Sequence, residues 1–301
     1  MGHSALTPAV ETTGDLSTIL DASYATLNTD HFSLICSPLT AESEKIALLL
    51  ELAYHHFEST FTGYDFRLRT PEERLRWVAF STKDSFNRYA VRTEGQDLSW
   101  LTGYYSAKTN LVAIVTSEKM AKWQVKTQPA LALGVIACPP DAETGLVRLV
   151  HEAAHQLSFN TGLQKRRVMY PLWASEGLAM FFERSLLSEY FHSSRYTSLR
   201  ARRLASLYRR GELVRLDDFI SITHPGEATR AIDVYAQAWG LFQFLFEYRA
   251  DSLREYFSSL YDLEPGFRSE PTLRSEFVRA FGPPDRLERH WQRFIEELPS
   301  R

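Results

Sequence analysis

Apolar and polar positions follow two different periods in the first part of the chain. Short stretches rich in β-branched and aromatic side chains predict strands. A longer stretch carries apolar side chains at helical spacing and begins at Thr40, a residue type that caps helices. The predicted elements are a strand at 31–37, a helix at 40–61, a strand at 74–82, a short helix at 83–90 and a hairpin at 101–116.

The second part of the chain is predicted to be almost entirely helical. Helical spacing of apolar residues recurs from residue 144 onward, after two prolines at 139–140 that suit a boundary. We expect an α+β fold with a mobile tail at 1–29, a sheet-containing part at 30–141 and a helical part at 142–301. The predicted helices are 144–160, 172–190, 196–210, 231–249, 251–262, 271–281 and 284–298.

Composition narrows the class of protein. With 301 residues, of which 44% are hydrophobic and 24% charged, the chain can bury the core of one large domain or of two that pack closely. A formal net charge of -3 gives no electrostatic attraction to nucleic acid or to an anionic membrane surface. The apolar run at 130–138 is far shorter than the roughly 20 residues that cross a bilayer, so no membrane span is predicted. The pattern leaves the oligomeric state open.

The cysteines and the N-terminal residues indicate in which cellular compartment the protein is expected. Cys36 and Cys138 are too few to cross-link a chain of this size, and we interpret them as buried small apolar residues. Whether they pair is left open. The first twenty residues lack a charged segment followed by an apolar one. The chain as it stands is therefore expected in the cytoplasm, or outside it if a signal was removed.

The segment "RLVHEAAHQLSFNTG", residues 148–162, contains the candidate chemistry. His151 and His155 are one helical turn apart, so both imidazoles can converge on one ion. Glu152 projects about 100° round the helix from His151. It can reach a water on the metal without binding the metal itself. The alternative is a helix with two exposed histidines, but the helix is unusually apolar, where an unpaired imidazole is unfavourable.

A catalytic zinc site needs a third protein ligand. Between Gln156 and Ser175 there is no His, Asp, Glu or Cys, and the first candidate is Glu176 in "YPLWASEGLAMFFE". Gly177 and Ala179 beside it are small enough to let a second helix approach the first. Glu176 would then complete a set of two histidines and one glutamate with a fourth position open to water.

These motifs resemble those of the gluzincin metallopeptidases, the group that includes thermolysin and the zinc aminopeptidases. "HEAAH" is followed by the glutamate of "WASEGLA" 21 residues after His155. The wider pattern, up to "YAQAWGLFQFL", is similar to an uncharacterised bacterial family of predicted metallopeptidases in that superfamily. The resemblance runs from about residue 146 to 246. It implies a thermolysin-like fold and a zinc peptidase acting on peptide or protein substrates.

The resemblance also implies roles for further residues. Glu152 would act as general base, taking the proton of the attacking water and delivering it to the leaving amine. Tyr235 is the candidate second donor to the oxyanion, because zinc aminopeptidases carry a catalytic tyrosine in a similar helix. Thermolysin-like enzymes hold a zinc histidine with an acidic residue one turn past the third ligand. That position is Met180 here, so Glu183, Asn160 or a backbone carbonyl is expected to substitute.

Several alternatives remain open from the sequence. The protein could be a zinc-stabilised scaffold or peptide-binding module that has lost hydrolysis, or could cleave another amide such as a cell-wall peptide link. The strand at 110–116 is interpreted either as the sheet edge that pairs with substrate or as an ordinary interior strand. His55 and His56 are interpreted as a partly exposed pair without a ligand. The arginine-rich stretch at 194–210 is interpreted as the solvated face of an amphipathic helix.

Overall fold

A computed structural model describes residues 20, 23–116, 143–191, 195–226, 228–264 and 266–298. Most of the predicted N-terminal tail, the apolar run at 130–138, Cys138 and the predicted division at 141–142 lie outside the described residues. The described chain falls into two compact units, one made of residues 1–59 and 69–157 and the other of residues 60–68 and 158–301.

The first unit is built on a five-stranded mixed sheet with the order β1-β2-β3-β5-β4. The inner pairs β2–β3 and β3–β5 are parallel, whereas β1–β2 and β4–β5 are antiparallel. A helix follows β2 and another follows β3, as parallel neighbours require a crossover connection. The elements are β1 (Ala25–Asn28), β2 (Phe32–Cys36), α1 (Ala41–Thr62), β3 (Leu75–Phe80), α2 (Lys83–Glu94), β4 (Gly103–Ser106) and β5 (Leu111–Val115).

Local sequence signals explain where the helices of this unit begin and end. The hydroxyl of Thr40, the predicted cap of α1, accepts a hydrogen bond from the backbone N–H of Ser43 at 3.4 Å. Thr82 caps α2 in the same way through Ser85, and Gly95 ends that helix in a left-handed conformation at a φ of 75°. The core between the sheet and α2 contains Leu20, Ile35, Val78, Phe80, Phe86, Tyr89, Leu111 and Ala113.

Two features of the sheet differ from the predictions. Residues 25–28, expected to belong to a mobile tail, form β1 by pairing with β2. The strand at 110–116, interpreted either as a substrate-binding edge or as an ordinary interior strand, is β5, and it lies in the interior between β3 and β4. The edge interpretation is wrong, because β5 already pairs on both sides. The last strand at that end of the described sheet is β4.

The remaining described helices follow the predicted periodicity, except for one short helix at 216–219 that was not predicted. They are α3 (Glu143–Asn160), which begins in the first unit, and α4 (Leu172–Phe191), α5 (Arg195–Arg210), α6 (Leu216–Phe219), α7 (Ala228–Tyr248), α8 (Ala250–Tyr261), α9 (Glu270–Phe281) and α10 (Pro284–Glu297). The prediction of an α+β fold with a small N-terminal sheet and a mostly helical C-terminal part is confirmed.

The core of the second unit is aromatic. Trp173 contacts Tyr256 at a ring-centroid distance of 5.1 Å and Phe277 at 5.7 Å. Trp239 and Trp291 are buried at 0% and 1% exposure, as core residues should be. None of the described helices combines the length and the apolar character that crossing a bilayer requires.

Candidate functional site

Helix α3 presents the HEAAH motif and is fixed to the sheet by a buried glutamine. Gln156, at 0% exposure, accepts a 2.6 Å hydrogen bond from the indole N–H of Trp77 in β3. Its amide nitrogen donates to the backbone carbonyls of Arg76 at 3.2 Å and of Asn110 at 3.4 Å. Because this residue directly follows His155, it fixes the rotation of the helix at the motif.

The two histidines of the motif face each other as predicted. The Nε2 atoms of His151 and His155 lie 3.2 Å apart, and the two rings are 81° from coplanar. Both side chains are half-buried. Their spacing on the helix thus brings two imidazole nitrogens to one point.

Glu152 lies on a different side of α3 and is 5% exposed. One carboxylate oxygen accepts a 2.9 Å hydrogen bond from the backbone N–H of Tyr105 in β4. The other lies 3.5 Å from Nη1 of Arg148, one turn earlier on the same helix. The carboxylate is therefore held between the last strand of the described sheet and a cation.

A second cationic side chain, Lys83, lies near Arg148. The stem of Arg148 packs over Gly103, where a Cβ would lie 3.4 Å from the arginine Cγ. The pKa of Lys83 is lowered, first by burial and then by repulsion from Arg148. The Lys83 ammonium also donates to the backbone carbonyl of Leu101. The contacts with Tyr105, Gly103 and Lys83 were not predicted, because these residues are far from α3 in sequence.

Glu176, the predicted third ligand, lies in the first turns of α4 in the second unit and is half-buried. Gly177 beside it lets α7 approach closely, since a Cβ there would lie 2.5 Å from the carbonyl oxygen of Ala238. The helix that Gly177 admits is α7, and the predicted approach of α4 to α3 stays a prediction. How Glu176 relates to the two histidines stays a prediction.

Tyr235 lies one turn before Ala238 on α7 and is half-buried. Helices α4 and α7 run in the same direction, because Gly177 meets Ala238 and Phe242, while the ring of Phe181, one turn on, meets those of Phe242 and Phe246. Glu176 and Tyr235 therefore lie towards the N-terminal ends of two neighbouring helices. The catalytic role of Tyr235 stays a prediction.

The residues expected to orient the histidines differ in their surroundings. Met180 is buried at 3% exposure, and Asn160 is half-buried at the end of α3. Glu183 is 1% exposed, and its carboxylate accepts from Nη1 and Nη2 of Arg200 at 2.8 and 3.3 Å. The arginine-rich helix α5 is thus not wholly solvated, since Arg200 points to a buried partner.

One part of the chain matches a known protein family. Residues 146–265 match a protein family described as "Protein of unknown function (DUF1570)". The matched segment includes the histidine motif, Glu176 and Tyr235. No curated protein matches the chain. The match supports a shared sequence pattern around the candidate site.

Proposed function

We propose that the protein is a zinc-dependent peptidase of the gluzincin type. In this proposal His151, His155 and Glu176 bind one zinc ion, and Glu152 is the general base. Zinc is preferred over calcium or magnesium because two of the three donors are imidazole nitrogens.

The observation that carries the proposal is the 3.2 Å separation of the two Nε2 atoms. Two nitrogens bound to one tetrahedral zinc at 2.0–2.1 Å are about 3.3–3.4 Å apart. The pair is therefore already spaced to share an ion. A hydrogen bond between the rings would also suit this distance, but it would require one nitrogen to carry a proton and the other to lack it.

When bound, zinc would polarise the scissile carbonyl and lower the pKa of an attacking water towards neutrality. Glu152 would accept the proton of that water and pass it to the leaving amine. The hydrogen bond from Tyr105 fixes one oxygen of the carboxylate, and Nη1 of Arg148 lies 3.5 Å from the other. Tyr235 is the proposed donor to the developing oxyanion.

The competing proposal is a zinc-stabilised scaffold without hydrolytic activity. One observation favours it: Glu152 links α3 to β4 through Tyr105, a role that a purely structural carboxylate would also fill. The presence of Glu152 therefore does not distinguish the two proposals. A measurement of hydrolytic activity is needed to do so.

Turnover of a mixed peptide library by the native chain and by Glu152→Gln tests the proposal. The amide oxygen of glutamine can still accept from Tyr105, so we expect the variant to fold and to retain the same zinc content through dialysis. Its turnover should fall at least about a hundredfold, the usual contribution of a general base. Glu58→Gln, at an exposed position on α1, is the matched control and should keep full activity.

Equal turnover in the native and Glu152→Gln chains would overturn the mechanism. Zinc binding without turnover in either chain would favour the scaffold.

A further inference from the structure

Three polar side chains outside the HEAAH motif meet where the turn between β1 and β2 approaches α1. His31 lies in the turn, and Glu51 and His55 are one helical turn apart on α1. Each residue offers one ligand atom, and these atoms all lie within 4.8 Å of one another. We infer that His31, Glu51 and His55 form a second site for a divalent transition metal ion.

The backbone of His31 is fixed on both sides. Its N–H donates to Oε1 of Glu51 at 2.8 Å, and its carbonyl accepts from the N–H of Leu75 at the start of β3 at 2.8 Å. Its Nδ1 lies 2.6 Å from Oε2 of the same glutamate. His31 and Glu51 are therefore held side by side, and an ion bound by both would take the place of the proton shared between them.

Aromatic contacts fix the orientation of the His31 ring. It stacks on Tyr54 with a centroid distance of 3.6 Å and an interplanar angle of 13°. The ring of His55 lies 5.4 Å away and is 89° from coplanar. His55 is exposed, so its ring has room to turn the short distance needed to share an ion with the other two.

The donor set determines which ions suit the site. Two imidazoles and one carboxylate favour Zn²⁺, Co²⁺, Ni²⁺ or Cu²⁺ over the oxygen-seeking Ca²⁺ and Mg²⁺. His31 and Glu51 are half-buried at 24% and 18% side-chain exposure, so solvent can fill the remaining coordination positions. The hydrogen bonds between His31 and Glu51 would hold the turn in place without an ion. They do not explain why His55 lies beside these two residues.

The site separates a pair that the sequence placed together. His55 and His56 were interpreted as a partly exposed pair, yet His56 is buried at 3% exposure and only His55 reaches the surface. Adjacent residues on a helix point in different directions, so the two rings are directed apart. His55 instead lies near His31, in the turn between β1 and β2. An ion bound here would link the turn between β1 and β2 to α1, and all three ligands belong to the first unit. The inference therefore does not rest on the proposed function.

Zinc titration of the His151→Ala/His155→Ala chain tests this site without the first one. We expect about one bound zinc per chain and a melting temperature that rises with zinc, because the ion binds the folded state. Adding His55→Ala should lower the affinity at least about a hundredfold, since losing even an outer partner of a ligand costs 10–100-fold. His290→Ala, at another exposed histidine, is the control and should leave binding unchanged.

A melting temperature that does not respond to zinc, or that responds equally with and without His55, would overturn the inference. In chelator, the chains with and without His55 should melt alike, because the exposed ring contributes little without an ion. Should the double variant fail to fold, the native chain should bind one zinc more than His55→Ala alone. Equal binding by those two chains would also contradict the site.

Discussion

The indole N–H of Trp77 donates a 2.6 Å hydrogen bond to Oε1 of Gln156, the residue directly after the second histidine of the HEAAH motif. Both side chains are fully buried. The bond connects the middle of the sheet to the helix that presents the motif. We regard it as the contact that fixes the direction in which His151, Glu152 and His155 point.

Gln156→Leu should destabilise the protein because the indole N–H of Trp77 loses its acceptor inside the core. A buried donor left without a partner costs about 1–3 kcal/mol. Urea unfolding of native, Gln156→Leu, Trp77→Phe and the double variant measures the coupling. The double variant should lose less than the sum of the single losses, by at least about 0.5 kcal/mol.

Gln292→Leu provides the comparison, since Gln292 is half-buried and, among the described residues, bonds only to Glu288 one turn away. We expect a change within about 0.5 kcal/mol there. A Gln156→Leu chain as stable as the native one would show that the bond does not hold α3.

Arg200→Met should be far more damaging than Arg203→Met, although both residues are on α5. Arg200 pairs with Glu183, which is 1% exposed, whereas Arg203 and its partner Asp233 are 44% and 23% exposed. Removing one partner of a buried pair costs about 3–5 kcal/mol, and an exposed pair contributes about 1 kcal/mol or less. Denaturant unfolding of both variants checks the order, and equal losses would contradict the buried role of Glu183.

Gly177→Ala should force α4 and α7 apart. The new Cβ would lie 2.5 Å from a backbone oxygen that has no side-chain freedom to move. Overpacking of this kind costs about 1–3 kcal/mol. Thermal unfolding should rank this variant below Gly240→Ala, where the Cβ would meet the terminal methyl of Leu204, which can rotate. The reverse order would mean that the two helices can separate at little cost.

Much of the fold could be predicted because its signals are local. Helices α3 to α5 and α7 to α10 follow from apolar residues at helical spacing, and the C-terminal end of α3 from Asn160 and Gly162, the latter at a φ of 80°. The strand β1 was missed because its four residues, Ala25–Asn28, have little strand composition and are stabilised by pairing with β2. The edge and interior interpretations of β5 both stayed open because alternation of side chains does not encode which strand is the neighbour.

The same distinction applies to the candidate site. The sequence could predict that His151 and His155 face each other, because residues four positions apart lie on the same side of a helix. The contacts of Glu152 with Tyr105 and of Gln156 with Trp77 could not, because they join residues 47 and 79 positions apart. The polar side chain of Gln156, on a helix rich in buried apolar residues, was a signal that pointed to a buried polar contact.

The zinc content of the dialysed protein tests the central claim most directly, namely that His151, His155 and Glu176 share one ion. The measurement is best made in the His55→Ala background, where the second site cannot contribute. We expect the parent and Glu189→Ala, a change at an exposed glutamate on the same helix as Glu176, to retain about one zinc per chain. Glu176→Ala should retain almost none, and a Glu176→Ala chain that keeps as much zinc as its parent would contradict the account.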